Sequence, residues 1–348
     1  MPVLNVFLDL IEQEKFSQAK IFTIFSDRKF LKTDKEIEIV TALPSWLNRL
    51  FLKFSHKKII ASVLDYRNLM FFYKILMKIL SQKIKKYNSP KVVISSFAIA
   101  KNLEFCKKDY KKFKPITYLY LHSPMQYIRS HHEEYLQKLS YKLKIFKYIT
   151  PKLQKRDQQY TNFDQVNTNS QYTSDLAKKV YGIDSEVKYP KVNEHFFQNI
   201  SNNIQNYYIY VGRLVRFVKE LDKIIHLFNE NKEPLLIMSG PDEEYLKSIT
   251  KNIIFIRISD PQEKMKIIQN SKLINITKES FGLVTAESLL LVPVFAYNDA
   301  SPELIDEKSI LVPDKKHQTL VDFFNQFKDK KWDRELISRN IKNKLSYK

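Results

Sequence analysis

The chain has 348 residues, 44% of them hydrophobic, and a formal net charge of +20, so it can bury a large core and divides naturally into two domains of ordinary size. Its single cysteine, Cys106, excludes a disulfide framework and a cysteine-built zinc site, and it implies a reducing, cytoplasmic setting. The start MPVLNVFLDLIEQEK lacks the basic region of a signal peptide, and no apolar run approaches the roughly 18 residues of a spanning helix, which excludes an integral membrane protein.

After a helix at NVFLDLIEQ, short β-branched or aromatic runs predict strands at AKIFTIF, KVVISSF, ITYLYLH and QVNTNS, then at YYIYVG, PLLIMSG, NIIFIRIS, KLINIT and PVFAY. Segments with helical spacing, such as DKIIHLFNE and PQEKMKIIQNS, lie between most of them, which is the pattern of α/β units on parallel sheets. The polar, Asn-rich stretch 189–206 reads as a linker. The predicted division is therefore a basic first domain, 1–192, a second domain, 193–330, and a C-terminal helix, 331–348. Both domains are expected to be α/β, with a cleft between them at the C-terminal ends of the strands, where such sheets bind ligands.

The charge is uneven. Residues 51–114 carry 16 basic and 3 acidic side chains, whereas 201–348 nearly balance at 23 against 20. Such a segment attracts an anionic partner. Membrane lipid and lipid-linked phosphate fit; no nucleic-acid partner is expected, because no recognition motif accompanies the charge. In NLMFFYKILMKILSQKIKKY, Lys74, Lys78 and Lys85 share one helical face while Phe71, Phe72, Ile75, Leu76, Ile79 and Leu80 fill the rest. That helix either attaches to an anionic membrane surface, at on the order of 1 kcal/mol per near-surface cation, or packs on its sheet with a solvated lysine edge. His131 and His132 are adjacent, point in different directions on a helix and make a poor metal pair.

The second half carries the chemistry. In YYIYVGRLVRFVKELD a strand ends at Gly212, Arg213 follows, and Lys219 lies six residues further, near the start of a helix. Both cations could face one site at a helix N-terminus, an arrangement that suits a phosphate or diphosphate. In KESFGLVTAE, Glu279 comes just after a strand, Phe281 and Gly282 make a turn with free backbone amides, and Leu283 opens a helix that contains Glu287. Glutamates so placed can accept a hydroxyl pair, and they also fit a solvated helix edge.

In order and spacing, YVGRL with Lys219, LLIMSGPDEEYL, ESFGLVTAE and PVFAY resemble the retaining, nucleotide-sugar-dependent glycosyltransferases of family 4. YLHSPMQYI, VNTNSQYTSDLAKKVYG and VKYPKV resemble segments of its mannosyltransferase-like bacterial members, which build surface polysaccharide. The resemblance implies a GT-B fold, two Rossmann-like domains facing a cleft, with the first domain lacking its first strand and a Gly-Gly loop that would fall at Met1 and Pro2. It implies transfer of a hexose, with mannose the suggested case, from a GDP- or UDP-linked sugar to a lipid-linked or glycan acceptor with retention, peripherally at the inner face of the cell membrane.

By the same resemblance, Arg213 and Lys219 beside Gly212 would hold the donor diphosphate and Glu287 the ribose. Glu279 and the backbone around Phe281, Gly282 and Leu283 would hold the sugar, and His122 would contact it near the reacting carbon. No metal or other cofactor is implied. Negative charge develops on the departing phosphate, where preorganised cations stabilise the transition state most, and the two glutamates are ligands rather than a glycosidase acid and base. Departures from the family pattern are Val292 in place of a glycine, NDASPE in place of a Gly-rich turn before Glu303, and Gln126, Arg129 and Ser130 in place of Arg, Trp and Asp. They leave open a second reading, a truncated or degenerate relative that binds a nucleotide sugar without catalysis or acts as a scaffold.

Overall fold

The computed structural model describes residues 19–24, 26, 30–32, 36–54, 73–112, 114–129, 132, 144–197, 200, 205–212, 219–239, 246–258, 260–276, 279–297, 301–305, 311–312 and 319–346. The chain forms two compact units, Met1–Thr168 with Thr173–Glu186, and Asn169–Tyr172 with Val187–Lys348. The expected first helix, the expected lack of a first strand and of a Gly-Gly loop at Met1 and Pro2, and Phe71, Phe72, Ser130, His131 and Arg213 all fall outside the described residues.

In the first unit, β1 (Lys20–Thr23), β2 (Phe30–Lys32) and β3 (Glu36–Thr41) form a sheet of order β1-β3-β2, with β1 and β3 parallel and β2 antiparallel to β3. A second sheet has the order β4-β5-β6-β7, from β4 (Lys91–Ser96), β5 (Ile116–Leu121), β6 (Gln165–Thr168) and β7 (Glu186–Val187). The β4–β5 and β5–β6 pairs are parallel. Parallel neighbours need crossover helices. The helices described here are α1 (Ser45–Phe54), α2 (Tyr73–Lys86), α3 (Lys144–Asp157) and α4 (Gln171–Tyr181).

Helix α2 buries Leu76, Met77, Leu80 and Ile84 and exposes Lys74, Lys78 and Lys85. Ile75 is 58% exposed among those lysines, so the apolar stripe is narrower than the sequence spacing implied. Deeper in this unit the Lys101 ammonium, fully buried, pairs with Asp157 Oδ1 at 2.9 Å, and Tyr181 donates to Asp157 Oδ2 at 2.6 Å. Burial lowers the Lys101 pKa despite its partner. This triad ties the C-terminus of α3 to that of α4.

The second unit is built on β8 (Tyr208–Val211), β9 (Leu235–Met238), β10 (Ile253–Ile256), β11 (Lys272–Ile274), β12 (Val294–Tyr297) and β13 (Leu311–Val312). Its sheet is wholly parallel, in the order β10-β9-β8-β11-β12-β13. Counted within the unit this is 3-2-1-4-5-6, a doubly wound dinucleotide-binding order. Its direction of winding reverses between β8 and β11, and the crevice beyond the strand C-termini there is where such sheets bind ligands. A sheet covered on both faces needs strands apolar on both faces, and YIYV, LLIM and VFAY meet that demand.

Helices α5 (Leu221–Asn231), α6 (Pro261–Gln269), α7 (Leu283–Leu289), α8 (Leu320–Asp329) and α9 (Arg334–Ser346) complete the unit. Helix α5 buries Leu221, Ile224, Ile225 and Phe228, a single face at helical spacing. Asp260 caps α6 by accepting the Glu263 N–H at 2.7 Å, ahead of Pro261. Thr319 and Asp322 form a capping box on α8. Tyr208, Phe228 and Phe324 meet at centroid distances of 4.9–5.4 Å in the core. Arg334 donates to the Leu291 carbonyl at 2.7 Å, and Ile337 and Ile341 of α9 are buried.

The stretch 189–206 is not simply a linker. Val192 and Phe196 are buried in the second unit's core, Phe196 from a 3₁₀ turn at Glu194–Phe197. Two well-spaced apolar residues suffice to anchor a stretch whose average composition is polar. Among the described residues no helix is long and apolar enough to cross a membrane.

Candidate functional site

Residues that follow β8 and β11 meet beyond the C-terminal ends of those strands. The backbone after β8 turns at Gly212, where a Cβ would lie 2.9 Å from the Tyr210 hydroxyl; only glycine lets chain and ring approach this closely. Lys219 stands just before α5, whose N-terminus adds partial positive charge. Its ammonium pairs with Glu279 Oε1, and both side chains are about one-fifth exposed, at 20% and 21%. The predicted cation and the predicted carboxylate, 60 positions apart in sequence, therefore meet.

Beyond Glu279 the chain enters the turn into α7. Gly282 adopts φ +77°, ψ 70° at the N-cap position, a left-handed conformation. The first N–H of the α7 ladder is that of Ala286, bonded to the Gly282 carbonyl at 2.9 Å. Among the described residues the amides of the turn before it have no backbone acceptor. Phe281 is buried, with its ring 5.1 Å from that of Tyr189, and Leu283 packs against the same core. Asn275, after β11, donates to Thr285 Oγ1 and fixes the helix against the strand end.

Glu287 is the fifth residue of α7 and pairs with a lysine that the sequence did not single out. Lys264, in α6, lies 2.5 Å from Glu287 Oε2, with the lysine 23% and the glutamate 14% exposed. No spacing rule joins residues on two helices, so only the fold reveals this pair. A second unanticipated group surrounds Glu303. Its carboxylate accepts the Tyr172 N–H at 2.7 Å and bonds the Tyr189 hydroxyl, whose pKa rises to about 12 through burial and then through that carboxylate. Asn169 donates to Ser280 Oγ at 3.1 Å, beside Glu279.

His122 belongs to the first unit, just after β5. Its Nε2 is 2.8 Å from Ser95 Oγ, and its ring meets Tyr120 edge-on at 4.9 Å. Burial lowers its pKa to about 4, so the ring is neutral near pH 7 and can donate or accept one hydrogen bond at each nitrogen. Among the described residues no group of three or more His, Cys, Asp or Glu side chains is placed to hold a metal ion.

Residues 191–344 match the family model described as glycosyl transferases group 1. The chain finds no match among curated protein sequences. Among solved structures it is similar to the alpha,alpha-trehalose-phosphate synthase (UDP-forming) of Burkholderia vietnamiensis, at a TM-score of 0.61 and 11% identity over 97% of this chain and 93% of that one. It is equally similar to an E. coli trehalose-6-phosphate structure bound with UDP-2-fluoro glucose, at 0.61 and 10% over 98% and 90%. S. aureus TarM, in complex with Fondaparinux, alpha-GlcNAc-glycerol and UDP, aligns at 0.51 and 15% over 78% and 54%. Such likenesses, at low identity, establish the fold. The chain thus has a GT-B fold, and residues 191–344, within its second unit, resemble the glycosyl transferases group 1 family.

Proposed function

We propose that the chain transfers a hexose, mannose in the first instance, from a GDP- or UDP-linked donor to a lipid-linked or glycan acceptor with retention, as a family 4 glycosyltransferase of surface-polysaccharide synthesis. The observation that carries this reading is the Lys219–Glu279 pair at the point where the sheet reverses, beside the Gly282 turn. A donor diphosphate competes for the Lys219 ammonium, with Arg213 as its companion, and releases Glu279 to accept the sugar's hydroxyls. Charge forming on the leaving phosphate is then met by fixed cations and by the N-terminus of α5. Glu287 holds the ribose, the amides at Phe281, Gly282 and Leu283 approach the sugar, and neutral His122 offers a hydrogen bond rather than a charge.

In this reading the cations do the work that a metal does elsewhere, and turnover persists in EDTA. The basic α2 face holds the enzyme peripherally at the cytoplasmic face of the membrane. The neighbours whose descriptions name UDP or a UDP-sugar lend support to a nucleotide donor. The test is calorimetric titration of the purified chain with GDP, UDP, GDP-mannose and UDP-glucose, repeated on Glu287→Ala. Selective binding that the substitution abolishes supports the reading and identifies the base. Binding to none of the four would overturn it in favour of a non-catalytic relative.

A further inference from the structure

We propose that Lys264 and Glu287 together read the vicinal diol of the donor ribose, the ammonium as hydrogen-bond donor and the carboxylate as acceptor, which makes Lys264 a specificity-determining residue. The inference rests on the reading of Glu287 as the ribose ligand, and it adds a second residue and a chemical logic to that contact.

Three observations carry it. Lys264 is held in place along its length: it lies in the first turn of α6, which Asp260 caps, and its ammonium sits 5.4 Å from the centroid of the buried Phe196 ring. The ammonium then reaches Glu287 Oε2 at 2.5 Å, with both side chains mostly covered. Among the described residues no other protein group hydrogen-bonds either head group.

An ammonium has three N–H donors and no acceptor, and a carboxylate has only acceptors. Their mutual bond uses one donor and one oxygen, so donors remain on one side of the pair and Oε1 on the other. A vicinal diol complements that arrangement. One hydroxyl donates to Oε1 while its neighbour's oxygen accepts from Nζ, and the ion pair need not break. The pair is neutral overall, so a phosphate gains little from Lys264 that Glu287 does not oppose. That separates it from a second diphosphate site and favours a polyol.

Removing one hydroxyl leaves a charged partner unsatisfied, and hydrogen bonds to charged groups discriminate by about ten- to a hundred-fold. The experiment is calorimetric binding of UDP, GDP and their 2′-deoxy and 3′-deoxy forms to the full chain, as wild type, Lys264→Met and Lys264→Gln. The expected result is a ribonucleotide preference of about tenfold or more in the wild type. In Lys264→Met the preference over the one deoxy form that lacks the hydroxyl read by Lys264 collapses to within about threefold, while that over the other form, read by Glu287, persists; the lost preference returns in part in Lys264→Gln, whose amide can still donate.

An undiminished preference in both variants overturns the role of Lys264 while leaving Glu287 as the ribose ligand. Equal losses for ribo and deoxy forms point to a merely structural ion pair and also overturn it. A wild type that binds no nucleotide overturns the donor-site reading and this inference with it.

Discussion

Replacing Gly282 by alanine puts a methyl group where the chain has no room for one. At φ +77° an L side chain costs about 1–2 kcal/mol. The new Cβ would lie 3.0 Å from Glu279 Oε2 and 3.0 Å from Ser301 Cβ, with Ser301 Oγ closer still. Ser301 is fully buried and itself has φ +55°, so it cannot step aside cheaply, and overpacking of this kind costs about 1–3 kcal/mol. Together the two effects predict a loss of roughly 2–5 kcal/mol. Denaturant unfolding followed by tryptophan fluorescence in a Trp46→Phe background reads the second unit, because Trp332 packs 5.0 Å from Phe327 there. Adding Ser301→Gly removes both Ser301 atoms that crowd the methyl group, so the cost of Gly282→Ala should fall to the backbone share of about 1–2 kcal/mol. Equal costs in the two backgrounds would refute the steric account. A cost below about 1 kcal/mol would refute the conformational one as well.

Burial holds the His122 pKa at about 4 against an ordinary 6.5, so between those values the unfolded chain binds a proton that the native chain does not. Stability is therefore full above about pH 6.5 and falls as pH drops toward 4, by on the order of 2–3 kcal/mol. Urea unfolding across that range should show the loss in the wild type and not in His122→Gln; identical profiles would show the ring to be solvated. Lys101→Met strands the buried Asp157 carboxylate and should cost about 3–5 kcal/mol, while adding Asp157→Leu should recover part of it. A double variant no more stable than the single one in denaturant unfolding would place the cost in packing rather than charge.

All nine strands marked by β-branched or aromatic runs are present, because those runs face covered sheet surfaces and have little freedom to do otherwise. The misses have local causes. β3, EIEIVT, alternates glutamate with isoleucine and so reads as polar, although Ile37 is buried. β7 and β13 are two residues long and leave no periodicity to read. In the candidate site, Glu279, Gly282 and Lys219 were legible because each follows a strand or opens a helix at short range. Their partnerships were not. Lys219 meets Glu279 across 60 positions and Lys264 meets Glu287 across 23, separations that only the sheet order closes. Ser301, in a left-handed conformation that ordinarily selects glycine, carries no signal in the sequence that it faces Gly282.

The segment Asn169–Tyr172 belongs to the second unit although β6 before it and the rest of α4 after it belong to the first. The polypeptide thus passes between its two units three times, and they are stitched rather than strung. A single cut at the Glu186–Val187 bond would not yield two whole bodies. The first fragment would carry four residues that belong with the other, and the second would lose the Tyr172 amide that Glu303 accepts and the Asn169 amide that Ser280 accepts. The second fragment, expressed apart, would leave Glu303 and Ser280 without donors that the intact chain supplies from a segment far upstream in sequence.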